Sequence, residues 1–166
     1  MDYYVNLLYQ YRSKGALIDT NLLLVYFVGC YDPSRIPSFK RTITFTTEDF
    51  YTLQRAFNFF TKIVTTPNIL TEVNSFSNQL PNEIKFDYYV KMAEQISSLE
   101  EHYQNSHKIC SLDHFKKFGL TDSGIVDLVK DQYLVLTDDL KLASYLQNVG
   151  IDVINFNHIR PMNWQV

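Results

Sequence analysis

Gly15-Ala16-Leu17-Ile18-Asp19-Thr20-Asn21-Leu22-Leu23-Leu24-Val25-Tyr26-Phe27 is the stretch whose reading decides the fold. A short apolar run stops at an acid, passes two polar residues and resumes as a longer apolar run. The pattern predicts a buried strand that turns directly into a buried helix, with Asp19 at the joint. A carboxylate buried alone is costly, so Asp19 needs a cation, a hydrogen-bond network or an open cleft. It is the first candidate for function.

The same arrangement returns further along. Lys62-Ile63-Val64-Thr65-Thr66 reads as a second strand, followed by Pro67 where a helix takes its first turn. In that helix Ile69, Val73 and Phe76 mark an apolar face, and Glu72 falls on or beside it. Tyr133-Leu134-Val135-Leu136 is a third strand, running into Thr137-Asp138-Asp139 and a helix opened by Leu140 and closed by Gly150. Asp152-Val153-Ile154-Asn155-Phe156 is a last strand before a tail with Pro161 and Trp164. Between the second and third strands, Phe118-Gly119-Leu120-Thr121-Asp122 turns into a helix with Asp122 in its opening positions and Asp127 expected to face outward. Acids favour helix N-termini for dipole reasons alone, which gives Asp122 a structural reading beside the functional one.

Strands alternating with helices imply an α/β fold, a central, mostly parallel β-sheet with helices on both faces. Ligands bind such sheets outside the carboxyl ends of the strands, where Asp19 and the Asp138-Asp139 pair fall. Other segments read as supports. Tyr4, Leu7, Leu8 and Tyr11 predict an amphipathic helix over about 3–14, and Thr46 with Asp49 forms a capping box before Phe50, Leu53, Phe57 and Phe60. Gly29 and Asp32-Pro33 predict the end of the Asp19 helix and a loop carrying Arg35, Lys40 and Arg41. Residues 80–114 are expected to be a charged, solvated helical elaboration edged by Phe86, Tyr88 and Tyr89.

With 46% hydrophobic residues, the 166-residue chain can build a core for a single domain over 1–166. The apolar run Leu22 to Val28 is too short to span a bilayer, so no membrane association is expected. Met1-Asp2-Tyr3-Tyr4 lacks the basic-then-apolar pattern of a secretory signal, and no Asn-Xaa-Ser/Thr sequon occurs; a cytoplasmic setting is expected. Cys30 and Cys110 lack metal-ligand spacing and are expected to be buried, reduced thiols; His102, His107 and His114 lack it too. A net charge of −3 argues against binding nucleic acid mainly through a large basic surface, but acids gathered around a metal leave a nuclease open.

The acid in Ile-Asp-Thr-Asn, the acid in Pro-Asn-Ile-Leu-Thr-Glu-Val, the acid in Leu-Thr-Asp-Ser-Gly-Ile and the acid in Leu-Thr-Asp-Asp-Leu stand in an order and spacing that resembles the PIN-domain nucleases, a family that includes the VapC-like ribonuclease toxins. The likeness runs from Ala16 to about Phe156. It implies a PIN-like fold whose acids hold Mg²⁺ or Mn²⁺ and hydrolyse RNA. Carried over by position, Asp19, Glu72, Asp122 and Asp139 match the catalytic and metal-holding quartet, with Asp139 preferred to its neighbour Asp138 because it lies two residues after Thr137. Asn21 and Thr137 match supporting polar positions, and Asp138 remains a supporting candidate through direct adjacency. The resemblance also implies a small antitoxin protein as partner. The helix before Asp19 and the long segment from Leu80 to His114 depart from the family pattern.

Carboxylates are hard ligands suited to Mg²⁺ or Mn²⁺, and such an ion orients a phosphate and lowers the pKa of bound water, so no protein nucleophile is needed. Arg35, Lys40, Arg41, Lys116 and Lys117 are candidate nucleic-acid contacts, each with a solvated-surface reading beside it. Three functions compete: an endoribonuclease, a structure-directed DNA nuclease, and a catalytically silent binding or scaffold domain. The many aromatic residues make a homodimer a further expected partner.

Overall fold

Every residue of four strands, β1 (Ala16–Ile18), β2 (Ile63–Thr65), β4 (Leu134–Thr137) and β5 (Val153–Asn155), is buried whichever way its side chain points. Burial on both faces is the mark of a parallel sheet covered by helices above and below. The computed structural model, which describes residues 2–160, shows that sheet: five parallel strands in the order β3-β2-β1-β4-β5, where β3 is Glu100–Glu101. Leu17 pairs with Val64 on one side and Val135 on the other, and Thr137 pairs with Asn155 at the outer step.

The chain places β2 and β3 to one side of β1 and then returns to build β4 and β5 on the other. The strand order therefore reverses between β1 and β4, and a parallel sheet opens its crevice at that switch point, outside the carboxyl ends. Asp19 follows β1 and the Thr137-Asp138-Asp139 turn follows β4. Their backbones are also tied, since Asp19 N–H donates to the Leu136 carbonyl at 3.0 Å.

Helix α1 (Asp2–Tyr11) buries Leu7, Leu8 and Tyr11 as its spacing predicts, ending three residues short of the expected 14. Helix α2 (Thr20–Tyr31) is nearly all apolar and runs through Gly29 rather than stopping there; a 3₁₀ turn (Pro33–Ser38) follows it. Gly29 does not break the helix because its role is packing: a Cβ there would run into the buried Phe50 ring. Phe50 belongs to α3 (Thr47–Phe59), whose Thr46–Asp49 capping box forms as expected. Gly29→Ala should therefore lower stability by about 1–3 kcal/mol through overpacking. That exceeds the gain of roughly 1 kcal/mol that alanine brings to a helix interior. The urea midpoint should fall; an unchanged or higher midpoint would show that Phe50 yields freely.

Helix α4 (Pro67–Ser77) starts at Pro67 with Thr66 as its cap. The next segment departs from expectation. Helix α5 (Asn82–Ile96) is not solvated all round: Tyr88 and Met92 are buried, and the Tyr88 hydroxyl bonds Ser77 at 2.7 Å, while Phe86 is exposed. Glu100 and Glu101 then form the edge strand β3 instead of extending a helix, and α6 (Ser106–Cys110) is a short turn of helix. Cys110 is exposed and Cys30 half-buried, so neither is the fully buried thiol expected. His102 meets Glu100 at 2.8 Å. Helices α7 (Phe115–Val129), α8 (Leu140–Asn148) and α9 (Phe156–Ile159) complete the chain. Asp127 on α7 is partly buried and bound by Lys108 and Gln104, not turned freely outward. The Pro161 and Trp164 tail lies outside the described residues. Among them, no helix is long and apolar enough to cross a membrane.

Candidate metal centre

Each carboxylate of the cavity has its own structural means of delivery. Asp19 leaves β1 with extended backbone (φ −66°, ψ 159°) and caps α2, one carboxylate oxygen accepting the Thr20 N–H at 2.6 Å. The other accepts from the Thr137 hydroxyl at the end of β4, and that same hydroxyl accepts the Asp139 N–H at 3.0 Å. Thr137 thus links the two acids across the switch point. Asp139 caps α8, its Oδ1 accepting from the backbones of Lys141 (2.6 Å) and Leu142 (3.0 Å). The positive ends of α2 and α8 consequently face the acids that cap them.

Glu72 sits in the middle of α4 and is fixed by two threonines. Thr20 at the start of α2 donates to Oε2 at 2.9 Å, and Thr121 on α7 donates to Oε1 at 2.8 Å. Asp122 follows Thr121 and is delivered by a break in α7. Gly119 adopts φ 72°, ψ −165°, a conformation that glycine tolerates and other residues rarely do, so the helix restarts with Asp122 in its opening turn. The Asp122 carboxylate accepts no hydrogen bond among the described residues.

Asp19, Glu72, Asp122 and Asp139 line one open cavity of about 300 Å³, together with Thr20, Asn21, Thr121 and the rings of Phe76 and Phe118. Asp138 is held outside the lining: Asn21 donates to its carboxylate at 3.2 Å, and its carbonyl accepts from Asn157 at 3.3 Å. Thr20 and Thr121 escape a reading of the sequence alone. The one signal it offers is adjacency, since each directly neighbours an acid of the quartet.

The electrostatics follow from this crowding. Burial, reinforced by the charges of Asp122 and Asp138, pushes Asp19 up to about 7 against the hydrogen bonds from Thr137 and Thr20. Burial and the neighbouring Asp139 and Glu72 push Asp122 up to about 6. Asp138 is raised by burial, with Asn21 opposing. A cluster of acids that resists ionisation in this way gains from any cation that enters it.

The donor set fits a hard divalent cation, being all oxygen, and the unpartnered Asp122 can turn to meet one. Among the described residues no three His, Cys, Asp or Glu side chains are close enough together to encircle one ion as they stand.

The candidate cations divide by location. Arg41 lies over the Phe76 ring at 4.3 Å and Lys117 lies 5.0 Å from the Phe118 ring, so each rests against a ring of the cavity lining without lining the cavity itself; Lys117 is also 5.4 Å from Tyr145. Arg35 and Lys40 line a separate recess. Lys116 is exposed, with no hydrogen bond, ion pair or ring contact among the described residues.

Comparison of the chain with protein-family models, with curated proteins and with solved structures returns no match.

Proposed function

We propose that the chain is a metal-dependent endoribonuclease of the PIN-domain kind, hydrolysing RNA phosphodiester bonds with Mg²⁺ or Mn²⁺ held by Asp19, Glu72, Asp122 and Asp139. One observation carries the proposal: carboxylates from four separate elements line a single open cavity at the switch point of a parallel sheet. A fold gains nothing from such repulsion, and two of these acids are raised toward neutrality by it and by burial.

A bound Mg²⁺ or Mn²⁺ would supply Lewis-acid polarisation of the phosphate and a water of lowered pKa. The chain's own residues do the rest. Thr137 and the Thr20 backbone hold both Asp19 oxygens in place, and Thr20 and Thr121 do the same for Glu72. Fixed ligands reduce the reorganisation needed as charge develops on the phosphate. A carboxylate oxygen of the quartet left outside the ion's shell would take a proton from the attacking water. The open cavity lets that proton pass to solvent.

The same reading proposes a cytoplasmic setting, with a small antitoxin protein and a second copy of the chain as partners. The exposed rings of Tyr3, Tyr9, Phe86 and Tyr103 are surfaces that such partners would cover.

Matched single-stranded RNA and DNA, incubated with the purified chain and Mn²⁺, test the activity. RNA should be cut internally, DNA should survive, and EDTA should abolish the reaction. Equal cutting of DNA would move the reading to a DNA nuclease. Binding of RNA without cleavage in either Mg²⁺ or Mn²⁺ would make the chain a silent binding domain.

A further inference from the structure

An acidic cavity repels the phosphates on either side of the bond it cuts, so a nucleic-acid strand crossing it needs cations at the rim. Arg41 meets that need in an unusual posture. Its guanidinium lies 4.3 Å over Phe76, a wall of the carboxylate cavity, while its Nε donates to Gln79 at 3.1 Å. Ring and amide fix the group, yet its terminal nitrogens meet no partner among the described residues. Gln79 in turn lines a second recess, of about 240 Å³, with Arg35, Ser38 and Lys40. The recess and the cavity are thus joined by a continuous wall, Phe76 to Arg41 to Gln79 to Lys40.

Several of the protein's other cations are already engaged. Lys62, Lys91 and Lys108 each pair with a carboxylate at 3.2 Å or less. Lys40 pairs with nothing among the described residues, and Arg35 forms an ion pair with Asp32 through Nε at 3.6 Å. Lys40 and Arg41, which pair with no carboxylate among the described residues, stand with Arg35 beside a site of concentrated negative charge, placed for a polyanion bridging the two.

Resting on the nuclease reading, we infer that the wall made by Phe76, Arg41, Gln79 and the Arg35–Lys40 recess seats the nucleotides flanking the scissile bond of a single RNA strand. Arg41 is a positioning residue: a guanidinium stacked on a ring offers its outer face to an unpaired base and its edge to a phosphate. Lys40 and Arg35 take the phosphates beyond it. A duplex keeps its bases inside the helix and offers no face to such a stack.

Fluorescence anisotropy with a labelled single-stranded 12-mer RNA tests the wall, with Ca²⁺ replacing Mn²⁺ so that the strand is held without being consumed. Arg41→Ala should weaken binding about tenfold, as loss of a base stack does. It should also reduce the slope of log affinity against log salt by about 0.7, the share of one phosphate on a single strand. Arg35→Ala with Lys40→Ala should reduce that slope by about twice as much. Lys14→Ala, before β1 at the opposite edge of the sheet, should change neither quantity. Equal thermal midpoints for all variants would confirm that they fold. The inference is overturned by wild-type affinity and slope in the wall variants, by an equal effect of Lys14→Ala, or by RNA binding no better as a single strand than as a duplex. The two proposals fail separately. Wall-dependent binding without cleavage in any metal sinks the nuclease reading alone, and Mn²⁺-dependent cleavage with an unchanged KM in Arg41→Ala sinks the wall alone.

Discussion

Asp19→Asn should lower Mn²⁺-dependent RNA cleavage by at least about 100-fold, the scale on which removing one preorganised electrostatic group slows a reaction. The substitution keeps shape and removes charge. Asp19 is 6% exposed, the deepest acid of the cavity, and its two oxygens join the start of α2 to the end of β4. An amide keeps one accepting oxygen for the Thr20 N–H, and the Thr137 hydroxyl can turn to accept from the amide nitrogen. The Asp19→Asn protein should therefore fold. Single-turnover cleavage checks the rate, and circular dichroism checks the fold. Asp138→Asn provides the contrast: its carboxylate is held outside the cavity by Asn21, so cleavage should fall by about 10-fold at most, the low end for lost support rather than a lost ligand. Equal losses at Asp19 and Asp138, or an active Asp19→Asn, would remove the proposed site.

The second large effect is on stability. In metal-free buffer the protein should become less stable as pH rises from about 4 to about 7. Asp19 titrates near 7 and Asp122 near 6 in the folded chain, against 3.8 for a free aspartate. Between those limits the folded state holds more protons than the unfolded one, so its advantage is complete below about 4 and is lost as pH passes through 6 and 7. For an acid as deeply buried as Asp19 the loss is on the order of a few kcal/mol, at roughly 1.4 kcal/mol per pKa unit. Asp32 and Glu100 are lowered by their partners and act in the opposite sense, toward greater stability above about 4. Both are largely solvated and contribute little. Urea unfolding across this range should show the decline in wild type and a flatter profile in Asp19→Asn. Mn²⁺ at 100 times its dissociation constant should return about 2.7 kcal/mol at pH 7.5 and much less at pH 4.5, where protons occupy the ligands. Parallel profiles for the two proteins would mean that Asp19 does not carry this strain.

What is legible in the sequence is whatever strong local patterning announces. Asp19 and the Asp138-Asp139 pair sit where apolar strands end abruptly, and Pro67 and the Thr46–Asp49 box mark helix starts by their own chemistry. Strand β3 is not legible because Glu100 and Glu101 carry no apolar signature; the edge strand exists only because β2 offers it a partner. Tyr88 and Met92 read as solvated in the sequence because the charged residues around them hide an inner face that only packing identifies. Cys110 stays exposed because α6 turns its neighbour Ile109, not Cys110, toward the interior. Thr20 and Thr121 gain their meaning from reaching Glu72 across 52 and 49 positions, respectively. No spacing rule encodes such a contact.

If Asp19, Glu72, Asp122 and Asp139 together hold a divalent cation, a crystal soaked in Mn²⁺ should show it most directly. An anomalous difference map should place manganese inside the cavity, bonded to carboxylate oxygens of this quartet, and the peak should vanish in Asp19→Asn. Manganese bound elsewhere, or a cavity still empty at a concentration that supports RNA cleavage, would contradict it.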